Sequence, residues 1–203
     1  PNFANLFMTS PEINIDPTIA GSVVGTYWFL MMIGRLCGAS IGAKVSSRAM
    51  LTVVSTVGIA LVLGAIFCAD NILVNMPVFK SDISFGFAQV PVNVMLLILC
   101  GLCTSVMWGG IFNLAVEGLG KYTAAASGLF MVMVCGGGIL PLIQGGVADF
   151  AGFLNSYWVI ALGLAYILFY AAIGSKNVNT DIPTDDYEAV SYTHLTLPTK
   201  LEV

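Results

Sequence analysis

The sequence predicts an all-α integral membrane protein with five membrane-spanning helices. Of its 203 residues, 58% are hydrophobic and only 9% are charged, and the mean hydropathy is +0.92. A soluble globular domain is typically about 25% charged, so a water-soluble fold is excluded. The few charged residues also leave five long uncharged runs between them, which are 17–34, 49–69, 83–116, 122–148 and 150–175.

Each uncharged run is long enough to cross a bilayer, because each has 18 residues or more. About 20 apolar residues at a rise of about 1.5 Å span a hydrocarbon core of about 30 Å. Pro17 and Pro91 suit the first turn of a helix, where the missing N–H would have no partner. We therefore predict helices over 17–43, 48–69, 91–117, 122–148 and 153–175.

The two ends of the chain differ in composition from the helical region. Residues 176–189 contain four acidic side chains and predict a polar tail. Residues 190–203, which include the single histidine His194, have no periodic pattern, and we interpret them as a non-native read-through tail. The sequence opens with Pro1 rather than Met, and it has no basic leader, which is typical of a fragment.

The distribution of Lys and Arg predicts the orientation of the chain. Basic loops near membrane helices stay on the cytoplasmic side. The connection between the first two helices holds Arg35, Lys44 and Arg48, and one alternating set of loops holds five cations against one in the other. This predicts that residues 1–16 and the loop over 70–90 are external and that the tail from Lys176 is cytoplasmic.

Several classes of function lack the residues that they need. No carboxylate or histidine falls in the middle of a predicted helix, and we find no nucleophile, acid–base pair, phosphate loop or metal-ligand cluster. Cys100 and Cys103 form a C-x-x-C, but no second ligand pair accompanies them, and thiols in apolar runs behave as small hydrophobes. The sequence therefore predicts no enzyme, no metal or other cofactor and no nucleic-acid binding.

Small residues dominate one face of the first helix and the connection that follows. Glycines that recur at spacings of four favour close approach of a neighbouring helix. They are Gly21, Gly25, Gly34, Gly38 and Gly42. The stretch from Gly34 to Arg48 also carries cations, which either anchor the cytoplasmic end or form a gate in which Arg35 or Arg48 pairs with Glu117 as helices move.

The fourth helix contains helix-breaking residues at membrane depth. Three consecutive glycines precede a proline, which predicts a kinked or opened helix. They are Gly136, Gly137, Gly138 and Pro141. Such a break is tolerated where it is buried in protein or faces water, so it indicates a cavity. Gln144 shares a helical face with Gly137 and Pro141, and its amide binds either a neighbouring helix or a ligand.

Aromatic and amide side chains at membrane depth are candidates for the same cavity. Sugars stack on aromatic faces and use amides for their hydroxyl groups. Trp108 and Asn113 lie in the third helix, at an expected buried depth, and Tyr27 and Trp28 lie in the first. Core packing explains the aromatic residues equally well, so both interpretations stay open.

Three stretches resemble the C-terminal half of a major facilitator superfamily transporter, in particular the bacterial fucose permease and glucose/galactose permease family. They are YWFLMMIGRLCGASI from Tyr27, GGIFNLAVEGLG from Gly109 and SGLFMVMVCGGGILPLIQGGVAD from Ser127. The resemblance implies that the five helices match helices 8 to 12 of a twelve-helix carrier. Residues 1–16 would be the external loop after a missing helix 7, and the partner would be a missing N-terminal six-helix bundle of the same chain.

The resemblance implies a multi-pass protein of the bacterial inner membrane. It would be part of a secondary active transporter that carries a hexose or related sugar by alternating access, with proton-coupling carboxylates in the missing bundle. Gln144, Asn113, Trp108, Tyr27 and Trp28 are the candidate substrate contacts. The alternatives are a major facilitator transporter of another small solute, such as a nucleoside, organic anion or drug, and a membrane subunit that does not transport.

The predicted topology can be tested by labelling single cysteines in a variant without the five native thiols. Because the basic loops stay inside, a membrane-impermeant maleimide should label Ser81→Cys in intact cells. It should label Thr180→Cys only after the cells are permeabilised. The reverse pattern would show that the topology is inverted.

Overall fold

The computed structural model describes residues 2–11, 13–42, 44–68, 72–79 and 84–176. The helices are α1 (Asn2–Thr9), α2 (Pro17–Gly42), α3 (Ser47–Phe67), α4 (Val92–Val116), α5 (Thr123–Met133), α6 (Gly136–Ala151) and α7 (Phe153–Phe169). The strands are β1 (Leu73–Phe79) and β2 (Phe85–Pro91), and short turns of 3₁₀- and π-helix cover Gly120–Tyr122 and Tyr170–Gly174.

Five helices in the described ranges are long and apolar enough to cross a membrane, which confirms the expected number. Four of them begin and end within two residues of the predicted bounds. The fourth membrane-spanning segment runs over Gly120–Ala151. It is divided into the 3₁₀ turn, α5 and α6. The chain is therefore a mostly helical multi-pass membrane protein.

Helix α4 is the centre of the bundle. It packs against both α2 and α3, while α7 packs against α3, and α6 packs against α7. Its sequence is apolar on all sides, as expected for a helix with neighbours or lipid all round. The main core lies between α3, α4 and α7 and includes Leu51, Val62, Leu97, Met107, Tyr157 and Leu164.

The α2–α4 contact depends on small residues. A Cβ atom at Gly34 would overlap the side chain of Ser105, and one at Gly38 would overlap Val106. On α4, a Cβ at Gly101 would lie 2.9 Å from the carbonyl oxygen of Tyr27. Gly34 and Gly38 therefore have the packing role that the glycine spacing predicts. Gly21 and Gly42 do not, since a Cβ atom at either would meet no atom within 4 Å in the described part of the chain, and one at Gly25 would meet only Phe79 O at 3.6 Å.

The connection between α3 and α4 contains a β-hairpin, whereas the prediction was a loop over 70–90. Strand β1 pairs antiparallel with β2, from Leu73 opposite Pro91 to Phe79 opposite Phe85. Alternate side chains are buried, with a period of two, and they are Met76, Val78, Ala88 and Val90. This inward face packs on α2 and α4, which is why the segment is ordered as strands.

The hairpin is held to α2 by one hydrogen bond and by an aromatic cluster. The amide of Phe79 donates to the Thr26 hydroxyl at 2.9 Å. The ring of Phe29 stacks on Phe79 at 5.1 Å and meets the edge of Phe85 at 5.6 Å. The connection between α3 and α4 is therefore part of the folded bundle.

The segment before α2 also differs from the expected loop, because it contains helix α1. Phe7 and Met8 are buried against the hairpin and α2. Asp16 caps α2, since its carboxylate accepts the Thr18 amide at 2.8 Å, and this hydrogen bond lowers the pKa of Asp16. Pro17 then occupies the first helical position, where a proline is tolerated.

The fourth membrane-spanning segment is broken about two turns before Pro141. The α-helical hydrogen bonds between residues four apart are replaced here by bonds between residues three apart. Gly137 donates to Val134 O at 2.8 Å, and Gly138 donates to Cys135 O at 2.9 Å. Pro141 has no N–H to donate to the carbonyl of Gly137, and three consecutive glycines have low helix propensity. The break therefore falls at Val134 and Cys135, between α5 and α6.

The close approach of α2 and α4 predicts the effect of adding one methyl group. Gly101→Ala should lower the melting temperature of the detergent-purified protein, because the new Cβ meets backbone atoms that cannot rotate away. Overpacking of this kind costs about 1–3 kcal/mol. Gly109→Ala, on the same helix with no atom within 4 Å of its Cβ, is the matched control. Equal melting temperatures for the two variants would contradict this account of the helix contact.

Candidate functional site: an uncharged cavity inside the bundle

A cavity of about 330 Å³ lies between α1, α2, α3, α4, α6 and α7. Its volume is at the lower end of the range for small-molecule pockets. The lining residues are Phe3, Ala4, Tyr27, Val62, Leu97, Ile98, Cys100, Thr104, Pro141, Gln144, Tyr157 and Ile160. None of these side chains is an acid, a lysine, an arginine or a histidine, so the cavity fits an uncharged ligand of modest size.

Tyr27 is fixed at the cavity by α4. Its hydroxyl lies 3.0 Å from the Thr104 hydroxyl, and either group can donate. Its ring packs over Gly101, where any side chain would collide with it. The sequence analysis identified Tyr27 but missed Thr104, because a single threonine in an apolar helix gives no sign of which helix it faces.

Gln144 is 5% exposed and lines the cavity from α6. Its amide nitrogen donates to the Ser156 hydroxyl of α7 at 3.4 Å, a long and therefore weak hydrogen bond. Ser156 in turn donates to Phe153 O at 2.6 Å. The Gln144 carbonyl oxygen accepts no hydrogen bond from the described part of the chain, so the same side chain joins two helices and offers an acceptor to the cavity.

Tyr157 is a cavity residue that the sequence analysis missed. It is 7% exposed, lies one residue after Ser156, and lines the cavity from α7. The signal that could have found it is the buried face formed by Tyr157, Ala161 and Leu164 at helical spacing, with a hydroxyl at one end.

The other predicted contacts lie outside this cavity. Trp108 and Asn113 were expected at a buried depth, but Trp108 is 47% exposed and Asn113 is also exposed. Phe130 of α5 meets the Trp108 ring at a centroid distance of 5.2 Å and covers it only in part. Trp28 is exposed too, and it contacts the cavity residue Tyr27 edge-on at 5.6 Å. The structure thus brings Tyr27 and Gln144 together and separates Trp108 and Asn113 from them.

The residues at the helix break have two different environments. Pro141 lines the cavity, whereas a Cβ atom added at Gly136, Gly137 or Gly138 would meet no atom within 4 Å. These three glycines are therefore not required for close packing in the described part of the chain. Their effect here is to weaken the helix next to the cavity.

The predicted gating residues lie at the end of the bundle where α3 begins. Arg48 donates to Ser175, through Nε to the hydroxyl at 3.2 Å and through Nη2 to the backbone carbonyl at 2.9 Å. It therefore binds the end of the π-helical turn that follows α7, where unpaired carbonyls attract cations, rather than Glu117. Arg35 is exposed and contacts the Met31 sulfur at 3.8 Å.

Glu117 belongs to a second, polar pocket of about 540 Å³ at that end. The pocket is lined by Ser46, Ser47, Arg48, Asn113, Leu114 and Glu117. Ser46 caps α3 by accepting the Ala49 amide at 3.3 Å. Arg48 and Glu117 thus line one space without an ion pair between them in this conformation.

The described residues show no arrangement typical of a metal site. No three of their His, Cys, Asp and Glu side chains lie close enough together to hold an ion, and the five cysteines are free thiols. Cys100 lines the cavity and Cys103 packs in the core beside it. Both thiols are buried as small apolar side chains.

The Arg48 contact predicts a local effect on the end of α7. Arg48→Ala should speed amide hydrogen exchange over 170–174 by about tenfold or more, because hydrogen bonds to charged groups contribute about 1.5–3 kcal/mol. Lys44→Ala removes a nearby exposed cation and is the control. If both variants exchange at the wild-type rate, Arg48 does not hold this helix end.

Comparison with known proteins identifies relatives of the chain. It is 30% identical over 172 residues to a glucose/galactose transporter of Brucella abortus and 30% identical over 169 residues to a putative glucose/galactose transporter of Helicobacter pylori. These matches cover 84% and 81% of this chain. An L-fucose-proton symporter of Escherichia coli is 33% identical over 92 residues, which is 45% of this chain and 21% of the symporter.

The chain spans about 37% of the length of the two glucose/galactose transporters that it matches. No family model and no solved structure matches it. The matches nevertheless extend over most of the membrane-spanning region described above. The chain is therefore homologous to part of the longer bacterial glucose/galactose and L-fucose transporters, which confirms its resemblance to this family of the major facilitator superfamily.

Proposed function

We propose that the chain forms part of a secondary active transporter that carries a hexose or related sugar across the bacterial inner membrane. The observation that carries this proposal is the uncharged cavity inside the bundle, where one amide and several hydroxyl groups line otherwise apolar walls. The sugars named for the relatives agree with it. The chain would match helices 8 to 12 of a twelve-helix carrier and work with a six-helix bundle of the same polypeptide.

The chemistry of the cavity suits a sugar better than a charged solute. A sugar ring has apolar faces for Val62, Leu97 and Ile160 and hydroxyl groups for Gln144 and the Tyr27–Thr104 pair. An organic anion would enter without a positive partner, which costs several kcal/mol of desolvation. The alternative of a charged solute therefore lacks support from the cavity.

Alternating access requires elements that can take two arrangements. The break between α5 and α6 beside Pro141 is one such element. Arg48 is a second, because it binds Ser175 here and shares a polar pocket with Glu117. In this proposal, Arg48 or Arg35 pairs with Glu117 in the outward-facing conformation. Proton coupling would then use a carboxylate outside the five helices, since their midplanes carry none.

The proposal predicts that Gln144 contacts the substrate. Gln144→Ala should weaken sugar binding roughly 5- to 150-fold, because unpaired sugar hydroxyls at this depth cost about 1–3 kcal/mol. Binding and melting temperature are measured on the same purified protein, with Gln89→Ala as the control, since Gln89 is exposed on the hairpin. A lowered melting temperature with unchanged affinity would show that Gln144 only joins α6 to α7.

A further inference from the structure

One end of the hairpin lies beside the middle of α2. The amide of Phe79 donates to the Thr26 hydroxyl at 2.9 Å, and the Phe79 ring stacks on Phe29. At a rise of about 1.5 Å per residue, Thr26 and Phe29 lie about 14 and 18 Å along the helix axis from Pro17. The strands therefore extend alongside a helix that is long and apolar enough to span the membrane.

The other end of the hairpin is level with the start of α2. Strand β2 leads directly into α4, and Val92 N donates to Ile72 O at 2.9 Å. Since one membrane-spanning helix separates them in the sequence, α2 and α4 run in the same direction. Gly101 of α4 packs on Tyr27 of α2, and these two residues are about equally far from the starts of their helices. The strands, each about 20 Å long, therefore reach from this level to the middle of α2.

The far end of the hairpin falls within the hydrocarbon layer wherever α2 sits along the membrane normal. Helix α2 has 26 residues and is about 39 Å long, which is about 9 Å more than a hydrocarbon core of about 30 Å. Even if all of this surplus lay beyond the boundary at the Pro17 end, Thr26 and Phe29 would lie about 5 and 9 Å inside the core. Any shift of α2 in the other direction would bury them more deeply.

Lipid cannot cover this part of the hairpin. In the described part of the chain the sheet has two strands, so each strand has one edge that faces no partner strand. The N–H and C=O groups along such an edge need hydrogen bonds, which lipid cannot provide. Non-helical backbone at membrane depth is tolerated only where it is buried in protein or lines a water-filled space.

The face of the hairpin that points away from the helices favours water. Asn75 and Gln89 are directly opposite each other in the strand register, and both are exposed. Each amide has two N–H donors and a carbonyl acceptor, all of which water can satisfy. On the predicted topology the strands begin at the external ends of the helices, so water at these amides is continuous with the outside.

We propose that the hairpin is a re-entrant element, which lines a water-filled vestibule that is open to the outside and extends along α2 to the level of Phe29. The exposed rings of Phe85 and Phe87 face this water. That the vestibule is the outer part of a solute path rests on the proposed function, because alternating access requires external water to reach a site near the membrane midplane. The hairpin then forms one wall of that path.

The test compares two exposed positions at similar depth. Phe85 is the strand partner of Phe79, at the far end of the hairpin. Ala60 is exposed on α3, and the glycines on either side of it pack on α4 above and below the level of Gly101. These contacts are Gly58 with Cys103 and Gly64 with Leu96.

Single cysteines are placed at these positions in the variant without the five native thiols. A membrane-impermeant maleimide added to intact cells should label Phe85→Cys to completion. It should label Ala60→Cys only after the membrane is dissolved in SDS. Labelling of both would show that this level lies outside the membrane, and labelling of neither would show that protein or lipid covers the hairpin. Either result, or labelling of Ala60→Cys alone, would overturn the inference.

A second measurement keeps an aromatic ring against Phe29, in case Phe85→Cys loosens the hairpin. The three native tryptophans are replaced by phenylalanine, and the protein is studied in lipid nanodiscs. The fluorescence of Phe85→Trp should be quenched by iodide and not by brominated lipid chains, with the opposite result for Ala60→Trp. Quenching of Phe85→Trp by brominated lipid would contradict the inference.

These measurements do not depend on which solute is carried. If Phe85 is inaccessible to water while sugar binding depends on Gln144, the inference is wrong and the proposed function stands. If Phe85 is accessible and no sugar binds, the water-lined hairpin stands and the proposed function fails.

Discussion

The close contact between α2 and α4 is the constraint on which the rest of the structure depends. Gly34 and Gly38 on one helix, and Gly101 on the other, remove the side chains that would hold the backbones apart. This approach fixes Tyr27 over Gly101 and within hydrogen-bond distance of Thr104. The paired helices also form the surface on which the hairpin packs. The position of Tyr27 in the cavity wall and the position of the hairpin therefore both depend on these small residues.

The opposite wall of the cavity is formed by a helix with fewer fixed hydrogen bonds. Helix α6 follows a break and contains Pro141, so it lacks a continuous hydrogen-bond ladder to α5. It is tied to α7 through Gln144 and Ser156 by a hydrogen bond of 3.4 Å. Under the proposed function, a sugar that pairs with Gln144 would compete with this weak bond and so favour a different position of α6.

The helices could be predicted from sequence because charges are absent over long runs, and Tyr27 and Gln144 were found because polar groups are conspicuous in such runs. The hairpin was missed because the elements were predicted from uncharged runs, which take no account of the alternation from Val74 to Val78 in the connection between two helices. Thr104 and Tyr157 were missed because the cavity depends on which helices pack together. Trp108 lies outside the internal cavity because a position along a helix does not determine which face lines that cavity.

The central claim is that a neutral sugar binds inside this bundle between α4, α6 and α7. The most direct test is an experimental structure of the protein determined with bound D-galactose. The account predicts density for the sugar in the cavity, with its hydroxyl groups within hydrogen-bond distance of Gln144 and of the Tyr27–Thr104 pair. Density on the exposed face around Trp108 and Phe130, with the internal cavity filled by water alone, would contradict it.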